Sequence, residues 1–147
     1  MTFLEELDIV IEKYISHIIE NYNFVLYETN DKGMGALRKY KNDSLKIQVL
    51  NDRGIINLNV SSVFDKEDFT DTEIVNSMIE LENLSTVIIG KWEREKILNK
   101  RLELKEQANL INKNWELLKR YFDEKNYKNT MKQLEIIGIE RTKIQSR

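Results

Sequence analysis

Between Phe24 and Val60 the apolar residues recur at every second position, while on either side they recur every three or four; this change of period constrains the fold more than any other feature. Leu45, Ile47 and Val49 alternate with Lys46, Gln48 and Leu50, and Ile56, Leu58 and Val60 alternate with Asn57, Asn59 and Ser61. Together with the β-prone run Phe24-Val25-Leu26-Tyr27 and the segment from Ala36 to Tyr40, they predict four strands joined by short turns. Such a chain folds as an antiparallel meander, with one face on a core and the other in water.

Between the last two predicted strands lies Asn51-Asp52-Arg53-Gly54. Asn and Asp accept local backbone bonds, and Gly takes positive φ without penalty, so the four residues read first as a hairpin turn. A rigid tip would also project Arg53 as an anchor for a carboxylate or phosphate, which its planar fork suits.

Helical periodicity governs the remainder. Leu4, Leu7, Ile11, Tyr14, Ile15, Ile18 and Tyr22 form one stripe, with Thr2 and Glu5 spaced as a capping box ahead of it. Thr70 or Asp71 suits the N-cap of a second helix bearing Ile74, Met78 and Leu81. Residues 85–90, STVIIG, either finish that helix, with Gly90 as its stop, or form a short extended piece. Leu104, Ala108, Ile111, Trp115, Leu118 and Phe122 step by fours and threes in a heptad-like seam that Ile97 and Arg101 extend upstream. A continuous helix over 93–122 would be roughly 45 Å long, so a bend is expected, weakest at Asn112 to Asn114. Tyr127, Met131, Leu134 and Ile137 mark a last helix, with Gly138 its expected interruption. The expected architecture is a single α+β domain over 1–147. It has an N-terminal helix and a four-stranded antiparallel sheet in 1–63, then a helical part in 64–147 that covers one sheet face and ends in a helical hairpin.

The net charge of −2 hides an asymmetry: residues 1–90 hold 16 acids and 8 bases, whereas 91–147 hold 9 acids and 15 bases. Either the halves neutralise each other internally or each faces a partner of opposite charge. Glu103, Glu106 and Glu116 dilute the basic half, and Tyr27 and Tyr40 are the only tyrosines on predicted strands, which argues against nucleic acid. There is no cysteine, so disulfides and thiolate chemistry are excluded. Charges interrupt the N-terminal apolar run, and no apolar stretch is long enough to span a bilayer, so a cytoplasmic protein is expected.

Catalytic constellations are sparse. His17 stands alone and reads as a partly buried structural histidine. Asp65, Glu67, Asp68, Asp71 and Glu73 lack the spacing and fixed glycine of a calcium loop and read as a solvated helix entry. Gly33-Met34-Gly35 lacks the third glycine of a dinucleotide site, and the serines have neither elbow glycines nor a base. No enzymatic activity, cofactor or metal is expected.

Tyr40, the Asp52-Arg53-Gly54 hairpin, Phe122, Tyr127 and the tail from Leu134 to Arg141 resemble those of small bacterial proteins of toxin-immunity loci. The resemblance implies a binding protein that neutralises a cognate toxin. A basic toxin such as a nuclease would suit the acidic half, with Asp52, Arg53, Asp65, Glu67 and Asp68 as expected partner contacts. The competing expectation is a self-associating regulatory or structural protein, a homodimer through helix 93–122 and its seam.

Overall fold

In the computed structural model, which describes residues 1–31, 33–84 and 89–147, the N-terminal stripe turns inward as its spacing predicts. Helix α1 (Phe3–Val10), a π-turn (Ile11–Ile15) and α2 (Ser16–Asn21) form one helical run. Leu7, Ile11, Ile15 and Ile18 are buried along it. Thr2 and Glu5 cap its start reciprocally. The π-turn departs from the expected uniform helix; next to it the Ser16 hydroxyl donates to the Glu12 carbonyl at 2.6 Å.

The sheet has five strands, not four. β1 (Val25–Asn30), β2 (Gly35–Lys41), β3 (Leu45–Asp52), β4 (Ile55–Ser62) and β5 (Thr70–Asp71) lie in sequence order, every pair antiparallel. With two residues, β5 is too short to show periodicity, and it runs straight into a helix whose N-cap is Asp71. Ala36, Tyr40, Leu45, Ile47, Val49, Leu58 and Val60 are buried. Helix α1 covers β2 and β3 on this side, and a later helix, α5 (Leu104–Lys113), covers β4. Gly35 lets β2 approach β3 closely, because a Cβ there would collide with the Asn51 carbonyl oxygen.

The helical half corrects several expectations. Helix α3 (Thr72–Asn83) ends well before Gly90, which instead occupies the N-cap position of α4 (Lys91–Leu98). The reading of 85–90 as helix or strand falls largely on 85–88, outside the described residues. The stretch 93–122 is divided among α4, α5 and α6 (Trp115–Tyr121). One division, at Asn114, falls where expected; the other, at 99–103, does not. There Arg141 donates to the Leu98 carbonyl at 2.7 Å and the Lys100 carbonyl at 3.3 Å, and the Leu102 N–H donates to Glu73 at 2.6 Å. These side chains satisfy backbone groups that a continuous helix would have paired, so the break is held by residues far away in sequence.

Helix α7 (Tyr127–Gln145) passes through Gly138 uninterrupted and packs on α3 and α4, so the helix pair at the C-terminus is not the expected hairpin. Gly138 serves packing: a Cβ there would sit 3.3 Å from Ile74 Cδ1 of α3. Of the seam, Ala108, Ile111, Leu118 and Phe122 are buried inside this one chain. Part of the charge asymmetry is cancelled internally on α3, where Glu80 pairs with Lys100 and Glu73 faces Arg101 and Arg141.

Candidate functional site

The turn between β3 and β4 is a two-residue loop: Asp52 pairs with Ile55, and Arg53 and Gly54 have φ of 55° and 98°. Positive φ at both positions is the type I′ arrangement that matches strand twist. Asn51 builds it. Fully buried, its Oδ1 accepts the Gly54 N–H at 2.8 Å while its Nδ2 donates to the Phe3 carbonyl at 2.9 Å, fastening the tip to the start of α1. The Arg53 N–H donates to the Met34 carbonyl at 3.0 Å, tying the tip to the β1–β2 connection. The Arg53 side chain is left 70% exposed, 3.5 Å from the Asp52 carboxylate, itself 66% exposed.

A second cluster occupies the sheet face opposite the α1 side. Residues 63–69, between β4 and β5, cross that face, so it is not the open water-facing surface that a meander predicts. Glu67 lies 3.0 Å from Lys39 Nζ of β2 and 3.7 Å from Lys46 Nζ of β3, and accepts from the Tyr27 hydroxyl at 3.3 Å. Lys39 also pairs with Glu28 at 3.0 Å. Lys46, 6% exposed, donates to the Asp65 carbonyl at 2.8 Å. The Phe69 ring lies beneath both ammonium groups, 5.5 and 5.7 Å from its centroid.

The electrostatics follow from this crowding. Burial works against both Lys39 and Glu67, but their contacts outweigh it, keeping Lys39 above the ordinary lysine value and Glu67 below the ordinary carboxylate value. Burial raises Tyr27, and the Glu67 charge and hydrogen bond raise it further. The cluster is thus a near-neutral staple that holds 63–69 on the sheet.

The five expected contact residues therefore fall into two groups. Asp52 and Arg53 share the hairpin tip; Asp65, Glu67 and Asp68 lie in 63–69, beyond the opposite end of β4. Glu67 is engaged internally and Asp65 is half-buried, whereas Asp68 is exposed. The acids of 65–73 are not a uniformly solvated helix entry: Glu73 is buried. His17 is exposed rather than partly buried. Sequence reasoning placed Asn51 in the turn as an acceptor of local backbone bonds, but missed its tie to the Phe3 carbonyl and missed Lys39 and Lys46 as partners of the loop acids. The signal for Lys46 was available only in retrospect, as a lysine on a strand flanked by apolar neighbours.

One surface groove, about 530 Å³, is lined by Tyr22, Val25, Lys41, Asn42, Trp115 and Lys119. Tyr22 and Trp115 stack there at 4.0 Å, and Asn42 turns its amide inward to the Tyr22 carbonyl and the Ser44 and Leu45 N–H groups, so much of its polar lining serves the fold. Among the described residues no group of acids or histidine could hold a metal ion, and no helix is long and apolar enough to cross a membrane. The chain matches no family model, no curated protein and no solved structure.

Proposed function

We propose that this chain is a protein-binding module, and that its partner is a bacterial toxin which it neutralises by direct contact. The observation that carries the reading is the hairpin tip: Arg53 stands in a left-handed conformation, pinned through its own N–H and through Asn51, yet spends its side chain on water and its neighbour Asp52. Because the backbone of the tip is already fixed, only side-chain freedom is lost when a carboxylate docks on the guanidinium, which favours recognition at such a place. The toxin-immunity resemblance runs through the same residues, Asp52, Arg53 and Gly54. Asp68, exposed in the 63–69 segment, supplies an acid on the sheet face for a basic toxin such as a nuclease.

The test is co-expression with the product of the adjacent gene, scored by co-purification and by rescue of growth. Wild-type chain is expected to co-purify and to rescue, and Arg53→Glu combined with Asp68→Lys to lose both while remaining folded. Unimpaired rescue by the folded double variant would remove the reading.

A further inference from the structure

Helix α7 turns two different sides to its surroundings. Thr130, Leu134, Ile137 and Arg141 are buried against the molecule, while Ile136 and Ile139 stand 65% and 52% exposed on the far side. Lys132, Ile136, Ile139 and Lys143 are spaced by four, three and four, so they fall on one stripe that Lys128 extends by a further turn. All three lysines are exposed, and none of them makes an ion pair among the described residues. The acids bordering the stripe are Glu135, to one side, and Glu140, which is taken by Arg94 at 2.7 Å. Lys143 still feels the Glu140 carboxylate, which Arg94 already neutralises, so the stripe is an apolar pair held between cations that make no close ion pair.

This charge pattern selects the occupant. A second copy of α7 laid antiparallel would bring Ile136 onto Ile139 but set Lys132 against Lys143, and a parallel copy would set each lysine against itself; like charges so placed oppose the pairing. A membrane-surface helix buries a broad apolar face, whereas here the apolar width is a single column with Glu135 and Thr142 on one side and Glu140 on the other. A narrow seam with charged flanks is what one helix offers another. We infer that the outer stripe of α7 docks an amphipathic helix of a partner protein whose apolar seam is flanked by Asp and Glu. The surface lies apart from the hairpin tip, so the inference does not depend on the toxin reading.

The probe is a fluorescently labelled synthetic helix with a leucine seam and glutamates at both ends, titrated with the full chain and followed by anisotropy. The acidic peptide is expected to bind, with affinity falling as salt is raised, and the same peptide with lysines for glutamates is expected not to. Ile136→Ser with Ile139→Ser, and separately Lys132→Glu with Lys143→Glu, should each weaken binding about tenfold or more. These four positions are exposed, so circular dichroism should match that of the wild type. Failure of the acidic peptide to bind, equal binding of both peptides, or unchanged affinity in the variants would overturn the inference. So would adsorption to phosphatidylglycerol vesicles that depends on the stripe, or self-association that Ile136→Ser abolishes.

Discussion

The Glu73 carboxylate and the Arg141 guanidinium face each other at 3.6 Å with 8% and 6% of their side chains exposed, joining α3 to α7 across the break between α4 and α5. Burial pushes the arginine down from its ordinary value, and Glu73 and Asp71 pull it back. Arg141 also donates to Ser77 and to the Leu98 and Lys100 carbonyls, so its loss strands both a buried acid and backbone acceptors. Arg141→Met should lower the unfolding free energy by about 3–5 kcal/mol, the cost of breaking a buried pair. Urea denaturation checks this. Adding Glu73→Gln to Arg141→Met should recover part of the loss, and a wild-type midpoint in Arg141→Met would show that the pair does not hold the break.

That pair also marks where sequence reasoning stops. The α1–α2 stripe and the Thr2–Glu5 cap are local patterns, visible because helix period and capping depend on residues three or four apart. The β3–β4 hairpin is equally local, since Asn51 to Gly54 carry their turn chemistry in themselves. The break at 99–103 carries only a weak local signal, the Glu103–Glu106 cap: residues Leu98 to Glu103 contain neither Gly nor Pro, and the Leu98 and Lys100 carbonyls and the Leu102 N–H find their partners in Arg141 and Glu73. Gly138 misleads for the converse reason. A helical glycine costs only about 1 kcal/mol, and the close approach of Ile74 offsets it. In the candidate site the tip was legible, while the engagement of Glu67 by Lys39 and Lys46 depends on a loop crossing a sheet face, which no spacing encodes.

Gln107 seals part of the outer edge of β4. Its Oε1 accepts the Leu58 N–H at 2.8 Å, and its Nε2 donates to the Leu102 carbonyl at 3.0 Å and to Asn57 at 3.4 Å. The side chain is 2% exposed, so Gln107→Met keeps the volume but leaves a buried donor and acceptor unmet. A loss of about 1–3 kcal/mol is expected. Hydrogen exchange should quicken at the Leu58 amide more than at Ile47, which lies on β3 inside the sheet. Equal protection at both positions in the variant would mean that water or another group replaces the glutamine.

Arg53 separates recognition from scaffold. An L side chain in the left-handed region costs roughly 1–2 kcal/mol, and Asn before Gly is the pair that a type I′ turn favours. Arg53→Asn is therefore expected to raise the melting temperature while removing the displayed cation. Under the proposed function the more stable variant rescues growth less well. Calorimetry and the growth assay together check this: a destabilised variant would contradict the turn assignment, and a stabilised one with full rescue would contradict the role of Arg53.

Alkaline pH probes three sheltered phenols: burial raises Tyr40, with Arg38 pulling it partly back, and two others are held up by acids as well. Burial raises Tyr27, with Glu67 adding to it, and burial raises Tyr121, with the hydrogen bond to Glu82 and its charge adding to it. A phenol with a folded value above its unfolded 10.0 binds its proton more tightly when folded, so this stabilisation is complete below pH 10. It is lost as the pH rises from 10 toward the folded value, because the unfolded chain gives up the proton first. Phenolate absorbance of the native protein should show late-titrating tyrosines, of which Tyr27→Phe combined with Tyr121→Phe removes two and leaves the buried Tyr40. Urea midpoints of that variant should fall less steeply above pH 10 than those of the wild type. A parallel fall in both proteins would place the alkaline sensitivity elsewhere, and Lys39, whose raised value rests on the same Glu67 carboxylate, would be the next group to replace.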